Sequence, residues 1–407
     1  MEKGSERPTR AGGEALRPGA ELEVTVERVL PGGLGLAHAS GQTILVALSA
    51  PGDRARVRVE SVRSRVGFAS IVEILEPSPS RVEPPCPYFG RCGGCDFQQL
   101  SYEAQLAAKA EIIRDCLRRV ARTEPPDEIP VTPSPAEWRY RSRARWQHDA
   151  RSGALGYYER GSHRVCDVST CPVAAPEVED RLLRLRASMG EGRLPAGAHE
   201  FEAVAGDSGV SLAPTVEDGD EAEQSRTIGG ERYRFDARCF FQINHTLLEA
   251  LVAEGVGDAS GDCALDLYAG VGLFTLPLAR RFRRVTAVEG NAAAARYARR
   301  NLAGAGLDNA RVITAGVGDW LARKSAHLGA LDFLLLDPPR AGAEPEALRR
   351  IVALRPRHVS YVSCDPATLA RDLRALLSEG YALTSLRAFD MFPQTHHVET
   401  VAHLSAP

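Results

Sequence analysis

The stretch Leu265-Asp266-Leu267-Tyr268-Ala269-Gly270-Val271-Gly272-Leu273-Phe274-Thr275 reads in order as an apolar strand, a glycine turn and the start of a helix. The glycines at 270 and 272 allow the backbone to approach a ligand closely at the helix N-terminus. A dinucleotide site would continue to a third glycine, but Thr275 stands at that position. The stretch therefore predicts a cofactor-binding α/β fold and leaves the cofactor open.

Strand and helix patterns alternate through the rest of the C-terminal part of the chain. The strand candidates cover residues 263–267, 284–288, 311–313, 331–336 and 359–363. Apolar strands separated by helical patterns are typical of a doubly wound parallel sheet. We therefore predict a Rossmann-like C-terminal domain over residues 236–407, with ligands bound beyond the carboxyl ends of its strands.

Two carboxylates follow strands of this predicted sheet. Glu289 ends the run Val285-Thr286-Ala287-Val288-Glu289, about where an acid receives two ribose hydroxyls, although a solvated strand-end carboxylate is the alternative. Asp337 is followed by Pro338-Pro339-Arg340, where an aromatic residue would mark an amino-group methyltransferase. The glycine loop followed by Glu289 favours S-adenosylmethionine over a nicotinamide cofactor, and Arg340 argues against methylation of an amino group.

Cys364 ends a further apolar strand candidate, His358-Val359-Ser360-Tyr361-Val362-Ser363-Cys364, and Asp365-Pro366 follows at once. A thiol at the carboxyl end of such a strand lies where ligands bind and is a candidate nucleophile. The alternative is an inert, buried cysteine. The identity of the cofactor next to it therefore decides what this thiol can do.

Composition limits the class of protein. The chain has 407 residues, 44% of them hydrophobic and 25% charged, with a net charge of -3, which fits a globular protein of two or three domains. No run approaches a membrane span of about 20 apolar residues, and the polar N-terminus lacks the apolar core of a signal peptide. We expect a disordered arm over residues 1–17, a cytoplasmic location and a monomer.

The N-terminal residues 18–77 contain short alternating runs, such as Thr43-Ile44-Leu45-Val46, between turns at Pro31-Gly32-Gly33 and Pro51-Gly52-Asp53. About five short strands in this length predict an OB-like β-barrel, a frequent binder of oligonucleotides, although a barrel without an RNA role is the alternative. Residues 78–235 are predicted to form a mixed central domain, with a helix at 101–120 and an acidic loop at 217–223.

Nine cysteines, unevenly spaced, argue for metal ligation or catalysis rather than for a disulfide framework. Three of them lie in one loop rich in proline and glycine, and a distant Cys-Pro pair can supply a fourth ligand, for which Cys166 competes. Four thiolates suit zinc or a 4Fe-4S cluster, and the single Cys-x2-Cys spacing favours a cluster with a structural role; unliganded buried thiols are the alternative. The four predicted ligands are Cys86, Cys92, Cys95 and Cys171.

The segment Trp138-Arg139-Tyr140-Arg141-Ser142-Arg143-Ala144-Arg145-Trp146 carries the strongest local charge pattern. If it is extended, Arg139, Arg141, Arg143 and Arg145 share one face by alternation. Such a stripe suits phosphates, and the aromatic residues beside it could stack unpaired RNA bases. The alternative is a solvated sheet face with salt bridges.

Together these motifs resemble the RNA uridine-5-methyltransferase family, especially its iron–sulfur 23S ribosomal RNA branch with a TRAM domain. The resemblance covers nearly the whole chain. It rests on the barrel, the cysteine set and five motifs, which are Phe240-Phe241-Gln242-Ile243-Asn244, residues 266–272, Asp337-Pro338-Pro339-Arg340, Ser363-Cys364-Asp365-Pro366-Ala367-Thr368-Leu369 and His397-Val398-Glu399-Thr400-Val401.

The resemblance implies S-adenosylmethionine-dependent methylation of uridine C5 in structured RNA. Cys364 would attack C6 so that C5 can accept the methyl group, and Glu399 would remove the C5 proton. A uridine in folded RNA must turn outward to reach the thiol. The residues implied to contact the cofactor or the target base are Gln242, Tyr268, Gly270, Glu289, Asp319 and Asp337.

Three alternatives concern the substrate and the activity. The expected substrate is 23S ribosomal RNA, and transfer RNA is the alternative. A non-catalytic RNA-binding or RNA-folding protein is a further alternative, but Cys364 and Glu399 are both present. Cytosine-5 methylation is disfavoured because residues 337–340 contain no cysteine. Two residues depart from the family pattern: Asp365 replaces an asparagine, and Leu273 replaces a polar residue.

Overall fold

The structure is a computed structural model that describes residues 16–220, 222–324 and 328–407. Residues 1–15 of the predicted disordered arm over residues 1–17 lie outside the described residues. Two compact units divide the chain, one formed by Met1–Glu83 with Gln99–Ser101, and the other by Pro84–Gln98 with Tyr102–Pro407. No helix among the described residues has the length and apolar character needed to cross a membrane.

The N-terminal unit is one curved sheet of six strands in the order β1-β5-β6-β4-β3-β2. Alternate residues such as Val24, Ile44 and Val57 are buried in its core, as the period of two predicts. The strand-rich N-terminal domain is confirmed, with six strands, of which β2 has only two residues, where the sequence predicts about five. The strands are β1 (Glu21–Thr25), β2 (Arg28–Val29), β3 (Gly35–Ala39), β4 (Gln42–Val46), β5 (Arg54–Arg63) and β6 (Val66–Glu76).

The second unit begins with the cysteine loop, helix α1 (Tyr102–Cys116) and a π-helical turn, Leu117–Ala121. An antiparallel sheet in the order β10-β9-β8-β11-β12 follows and packs against helix α2 (Pro176–Gly190) through buried residues such as Trp146 and Leu182. Its strands, with a separate hairpin, are β8 (Arg143–Asp149), β9 (Ala154–Tyr158), β10 (Val165–Asp167), β11 (Glu200–Ala205), β12 (Val210–Ala213), β13 (Gln224–Ile228) and β14 (Glu231–Phe235).

The large sheet of the second unit has eight strands in the order β17-β16-β15-β18-β19-β21-β20-β7. The five strands from β17 to β19 are parallel, as predicted, whereas β21 runs antiparallel to both β19 and β20. The strands are β7 (Val131–Thr132), β15 (Gly261–Leu267), β16 (Phe282–Glu289), β17 (Ala310–Thr314), β18 (Phe333–Leu336), β19 (His358–Ser363), β20 (Ala382–Phe389) and β21 (Glu399–Ser405).

Helices cover both faces of this sheet. In β18, Phe333 and Leu335 belong to one hydrophobic core, and Leu334 and Leu336 belong to the other. A strand buried on both faces explains why this run is entirely apolar. The helices are α3 (Leu248–Val256, after a 3-10 turn at His245–Leu247), α4 (Thr275–Arg281), α5 (Ala292–Gly304), α6 (Val317–Lys324), α7 (Pro345–Leu354) and α8 (Pro366–Ser378).

Candidate active site

The carboxyl ends of the parallel strands bring four polar side chains to one edge of the large sheet. Tyr268 follows β15, Glu289 ends β16, Asp337 follows β18 and Cys364 follows β19. These strands are neighbours in the order β16-β15-β18-β19, so the four residues form a row along the edge. Parallel pairing therefore places together residues that are far apart in sequence.

Glu399 reaches the same edge because its strand runs in the opposite direction. Ser363, the last residue of β19, pairs with Thr400 in the antiparallel ladder between β19 and β21. Glu399 is the first residue of β21 and is buried, and it lies beside the strand end that carries Cys364. The predicted nucleophile and the predicted base thus sit on adjacent strands.

The glycine loop after β15 is held by carboxylates. Glu289 accepts hydrogen bonds from the backbone N of Gly270 at 2.7 Å and from that of Asn291 at 2.6 Å. Gly272 has φ +92°, and a Cβ there would lie 3.1 Å from Leu276 Cδ1. The positive φ favours glycine, and the space beside Leu276 leaves little room for a side chain. The loop therefore presents backbone rather than side chains to a ligand at the start of α4.

A cleft of about 1150 Å³ opens along this edge. Asp319 does not line it; this residue is exposed on α6, and the nearby Gly316 and Val317 line the cleft instead. The lining also includes residues that the sequence analysis does not name as site residues, among them Phe240, Asn291, Arg340 and Phe392. The predicted catalytic and cofactor-binding residues that line the cleft are Gln242, Tyr268, Gly270, Glu289, Asp337, Cys364 and Glu399.

Burial and mutual repulsion disfavour the charged forms of the acidic groups. Burial, followed by the charge of Glu289, raises the pKa of Asp337 to about 7. Burial, followed by Asp337, raises the pKa of Glu399 well above its ordinary value. Burial also raises the pKa of the Cys364 thiol to about 12, with further contributions from Glu399 and Asp337, whereas Arg340 lowers it. The cleft therefore favours a cationic ligand, which would offset this repulsion.

Three buried polar atoms in or beside the cleft could form hydrogen bonds with a ligand. Asp266 Oδ1, the Tyr268 hydroxyl and Glu399 Oε1 are buried without a hydrogen-bond partner among the described residues. Buried polar atoms normally have a partner, so these atoms mark positions where a ligand can supply one. The second Asp266 oxygen accepts a hydrogen bond from the Thr275 hydroxyl at 2.5 Å, which fixes the carboxylate beneath the loop.

Comparison with known proteins identifies the family. The sequence profile of the tRNA (uracil-5-)-methyltransferase family matches residues 218–406, and that of the TRAM domain matches residues 15–72. A 23S rRNA (uracil(1939)-C(5))-methyltransferase of Alkalilimnicola ehrlichii is 34% identical, and the alignment covers 95% of this chain and 96% of that protein. The chain belongs to the RNA uracil-5-methyltransferase family.

Two further relatives agree with this assignment. An uncharacterized RNA methyltransferase of Thermosynechococcus vestitus is 32% identical over 95% of this chain and 98% of its own length. The structure of Pyrococcus abyssi tRNA (uracil-54, C5)-methyltransferase in complex with S-adenosyl-L-homocysteine matches with a TM-score of 0.72 and 25% identity, covering 94% of this chain and 100% of that chain. The chain is an S-adenosylmethionine-dependent RNA uracil-5-methyltransferase, as the sequence analysis predicted.

The two departures from the family pattern have visible structural roles in this uracil-5-methyltransferase. Asp365 is the N-cap of α8, and its carboxylate accepts hydrogen bonds from the backbone N of Ala367 and of Thr368, both at 2.9 Å. Leu273 lines the cleft, and its side chain is buried in the hydrophobic core on one face of the large sheet. Neither change removes a residue predicted to be catalytic.

The four predicted ligand cysteines of this uracil-5-methyltransferase line one common cavity. Burial raises the pKa of Cys92 to about 11 and that of Cys95 to about 12, so both thiols are neutral unless a cation binds them. Within the part of the chain that the structure describes, no three or more His, Cys, Asp or Glu residues form a group that could hold a metal ion. The cysteines that line the cavity are Cys86, Cys92, Cys95 and Cys171. Cys166 is buried and does not line it.

The prediction that four arginines share one face of a single strand is wrong. Strand β8 begins only at Arg143, and Arg139 has a left-handed φ of +59° and pairs with Glu179. Arg141 lines both the cysteine cavity and the cleft. Arg143 and Arg145 lie on the strand and border the cleft, where both contact Glu202. Alternation failed because the first half of the segment is not extended.

Proposed function

We propose that this enzyme methylates C5 of a uridine in 23S ribosomal RNA, at the position that corresponds to uracil 1939, through a covalent adduct with Cys364. The observation that carries the mechanism is the placement of Cys364 and Glu399 on adjacent strand ends of one cleft. The choice of ribosomal RNA is supported by the relative from Alkalilimnicola ehrlichii, whose name specifies that nucleotide.

The chemistry explains why a thiol and a carboxylate are needed together. Uracil C5 is too weak a nucleophile to accept a methyl group directly. Attack of the Cys364 thiolate on C6 forms an S–C bond and moves electron density to C5, which becomes enolate-like. S-adenosylmethionine supplies an electrophilic methyl group on a sulfonium. Glu399 then removes the C5 proton, the C5–C6 double bond re-forms and Cys364 leaves as a thiolate.

The electrostatics of the cleft match these roles. A carboxylate with a raised pKa is a stronger base, and burial provides this property for Glu399. The thiolate of Cys364 needs positive charge nearby, and Arg340 is the residue whose charge lowers the pKa of both groups. Arg340 therefore favours the reactive form of the nucleophile.

The cofactor would be held by the row of residues at the strand ends. Glu289 is already fixed by Gly270 and Asn291 at the position where an acid receives ribose hydroxyls. Tyr268, Gln242 and Asp337 line the same cleft and would contact the cofactor or the target uracil. An acidic cleft suits the cationic sulfonium.

The cysteine cavity would hold a 4Fe-4S cluster with a structural role. All four thiols line one enclosure, which fits the soft sulfur donors that such a cluster requires. Structural zinc sites usually pair two Cys-x2-Cys hooks, whereas this set contains one, formed by Cys92 and Cys95. The larger cluster is therefore the better fit to Cys86, Cys92, Cys95 and Cys171.

We assign RNA contacts to the rim of the cleft and to the barrel over residues 18–77. Arg143 and Arg145 border the cleft, and Arg145, with 60% of its side chain exposed, would approach phosphates. Arg139 pairs with Glu179 and does not line the cleft, and Arg141 also lines the cysteine cavity. Phe240 is 59% exposed at the same rim, with the Arg143 guanidinium 5.7 Å from its ring centre. An exposed aromatic ring next to a cation suits the stacking of an unpaired base.

The test uses the purified protein with methyl-labelled S-adenosylmethionine and RNA that lacks 5-methyluridine. One arm contains 23S ribosomal RNA and the other contains transfer RNA, because the Pyrococcus abyssi relative modifies transfer RNA. We expect label in 5-methyluridine of the ribosomal arm, and none with Cys364→Ala. Label in the transfer RNA arm alone would correct the substrate. Binding of RNA without methylation in either arm would instead favour the non-catalytic alternative.

A further inference from the structure

The segment over residues 390–398 connects β20 to β21 and ends at Glu399, and it has no regular secondary structure. Phe389 at its start pairs with Glu399 at its end. Glu399 Oε1 has no hydrogen-bond partner among the described residues, so side-chain hydrogen bonding does not orient this oxygen. The position of the carboxylate therefore depends on the backbone that carries it, which continues directly from this segment.

The first contact that fixes the segment comes from a buried lysine on α1. The Lys109 ammonium contacts the Asp390 carboxylate, and both side chains are fully buried. The same ammonium donates a hydrogen bond to the carbonyl O of Phe392 at 3.1 Å. Phe392 lines the cleft, so this lysine holds a cleft residue as well as the start of the segment.

The second contact comes from Gln105, one turn before Lys109 on α1. Its amide Nε2 donates to Gln394 Oε1 at 3.0 Å, and its Oε1 accepts from the backbone N of Gln394 at 2.9 Å. Gln394 has a left-handed φ of +68°, which is uncommon for a residue other than glycine. The two hydrogen bonds oppose any relaxation of this strained residue.

Two further contacts come from outside α1. The Tyr140 hydroxyl donates to the carbonyl O of Pro393 at 2.9 Å. Asp96, which follows Cys95, accepts from the backbone N of His396 at 2.8 Å and contacts its ring nitrogen at 2.5 Å. Several of these anchors bind backbone atoms of the segment, so they fix its path rather than one side chain.

We infer that Gln105 and Lys109 are positioning residues for proton abstraction, because they fix the segment that carries Glu399. The inference rests on the proposed function, in which Glu399 acts after Cys364 has added and the methyl group has been transferred. A small displacement of the base leaves those earlier steps intact and slows only the last one. The contact between Asp96 and His396 joins the cysteine loop to the same segment.

The test measures the lifetime of the covalent RNA–enzyme adduct during a single turnover on ordinary uridine RNA. In Gln105→Ala the two amide contacts to Gln394 are lost, and Gln105→Asn withdraws them while keeping a polar group. We expect either variant to form the methylated adduct and to release it at least about tenfold more slowly than the native enzyme. The affinity for S-adenosylmethionine should change less than about twofold, because Gln105 does not line the cleft.

The controls separate positioning from general stability. Asn309→Ala removes an amide that donates to the carbonyls of Ala279 and Phe282, away from the segment, and should lower the melting temperature without prolonging the adduct. Glu399→Gln should prolong the adduct most. If Glu399→Gln does not prolong it, the assignment of the base fails and this inference fails with it. If Glu399→Gln prolongs it and both Gln105 variants behave like Asn309→Ala, only the positioning role is overturned.

Discussion

Cys364 is the proposed nucleophile, and its surroundings in the cleft keep the thiol protonated. Burial and the neighbouring carboxylates of Glu399 and Asp337 raise its pKa to about 12. The thiolate fraction below such a pKa grows about tenfold with each pH unit. Arg340 is the only residue among the main electrostatic influences on Cys364 that opposes this trend. The pKa of this thiol thus depends on four ionisable neighbours, because Asp365 also raises it.

This gives a prediction for the pH dependence of adduct formation. The thiol is neutral below its pKa, and Glu399 also needs a higher pH than usual to ionise. We expect the single-turnover rate to rise steadily between pH 6 and pH 9, and Arg340→Ala to lower it at every pH in that range. A rate that is flat with pH, measured by quenched-flow with labelled RNA, would mean that the thiolate forms by another route.

Residue identity at the site could be predicted where chemistry and position coincide. Cys364, Glu289 and Asp337 each follow an apolar run, and parallel pairing brings such strand ends together. Arg340 and Phe392 were not selected because their roles depend on packing that no local pattern encodes. Family resemblance implies a cofactor contact for Asp319; this residue is exposed on α6 and does not itself line the cleft, but its carboxylate lies beside Gly316, which does.

At the scale of elements, the turn between β15 and α4 depends on Gly272. A side chain there would face a left-handed φ of +92° and a contact of 3.1 Å with Leu276. We expect Gly272→Ala to lower the free energy of unfolding by roughly 1–3 kcal/mol and to weaken S-adenosylmethionine binding. The measurement is a thermal melt with calorimetric titration. Gly306→Ala also replaces a glycine with positive φ, but in open space, and its cofactor affinity should stay native.

The buried carboxyl groups at the sheet edge make the free energy of unfolding depend on pH. Burial raises the pKa of Asp266 and of Asp337 to about 7, so the folded state favours their neutral forms. The stability that each contributes is complete below an ordinary pKa of about 4 and is lost as the pH rises through 7. As the pH rises from 4 to 7, the free energy of unfolding of the native protein should fall by up to about 1.4 kcal/mol per pH unit because of Asp337. Asp337→Asn lacks this ionisable group, so its stability should rise relative to that of the native protein by the same amount. A difference that does not change with pH in unliganded denaturation curves would contradict this.

Element boundaries followed from the sequence wherever the strands were buried on both faces. The parallel strands were predicted because apolar runs alternate with helical patterns. The antiparallel β21 was not foreseen, because its direction depends on the hairpin with β20 rather than on its own composition. The arginine stripe failed for a similar reason: Arg139 is turned out of the strand by its positive φ and its pairing with Glu179.

At the scale of the whole molecule, the cysteine cavity provides a chemical test. We expect protein purified without oxygen to contain about four iron and four sulfide ions per chain, with broad visible absorption. Cys171→Ser should abolish both, whereas Cys166→Ser is the matched control and should leave them, because Cys166 does not line the cavity. If elemental analysis finds zinc and no sulfide, the cavity holds a zinc ion and the assignment of a cluster is wrong.

The organisation of the whole chain could be predicted because each part carries an independent pattern. The alternating N-terminal runs, the cysteine loop and the repeated strand-helix units point to different structures, and family resemblance connects them. The choice of RNA could not be predicted in this way. It depends on how the rim of the cleft fits a folded nucleic acid, and Arg143 and Arg145 alone carry no base sequence information.

The central claim is that Cys364 forms a covalent bond with a uridine while methyl transfer takes place. The most direct measurement uses 23S ribosomal RNA with 5-fluorouridine, because fluorine replaces the C5 proton that Glu399 would remove. We predict a stable RNA–enzyme complex that carries the methyl group, and mass spectrometry should locate the RNA on the peptide that contains Cys364. Attachment to another of the nine cysteines, or methylation of ordinary RNA by Cys364→Ala, would contradict the account.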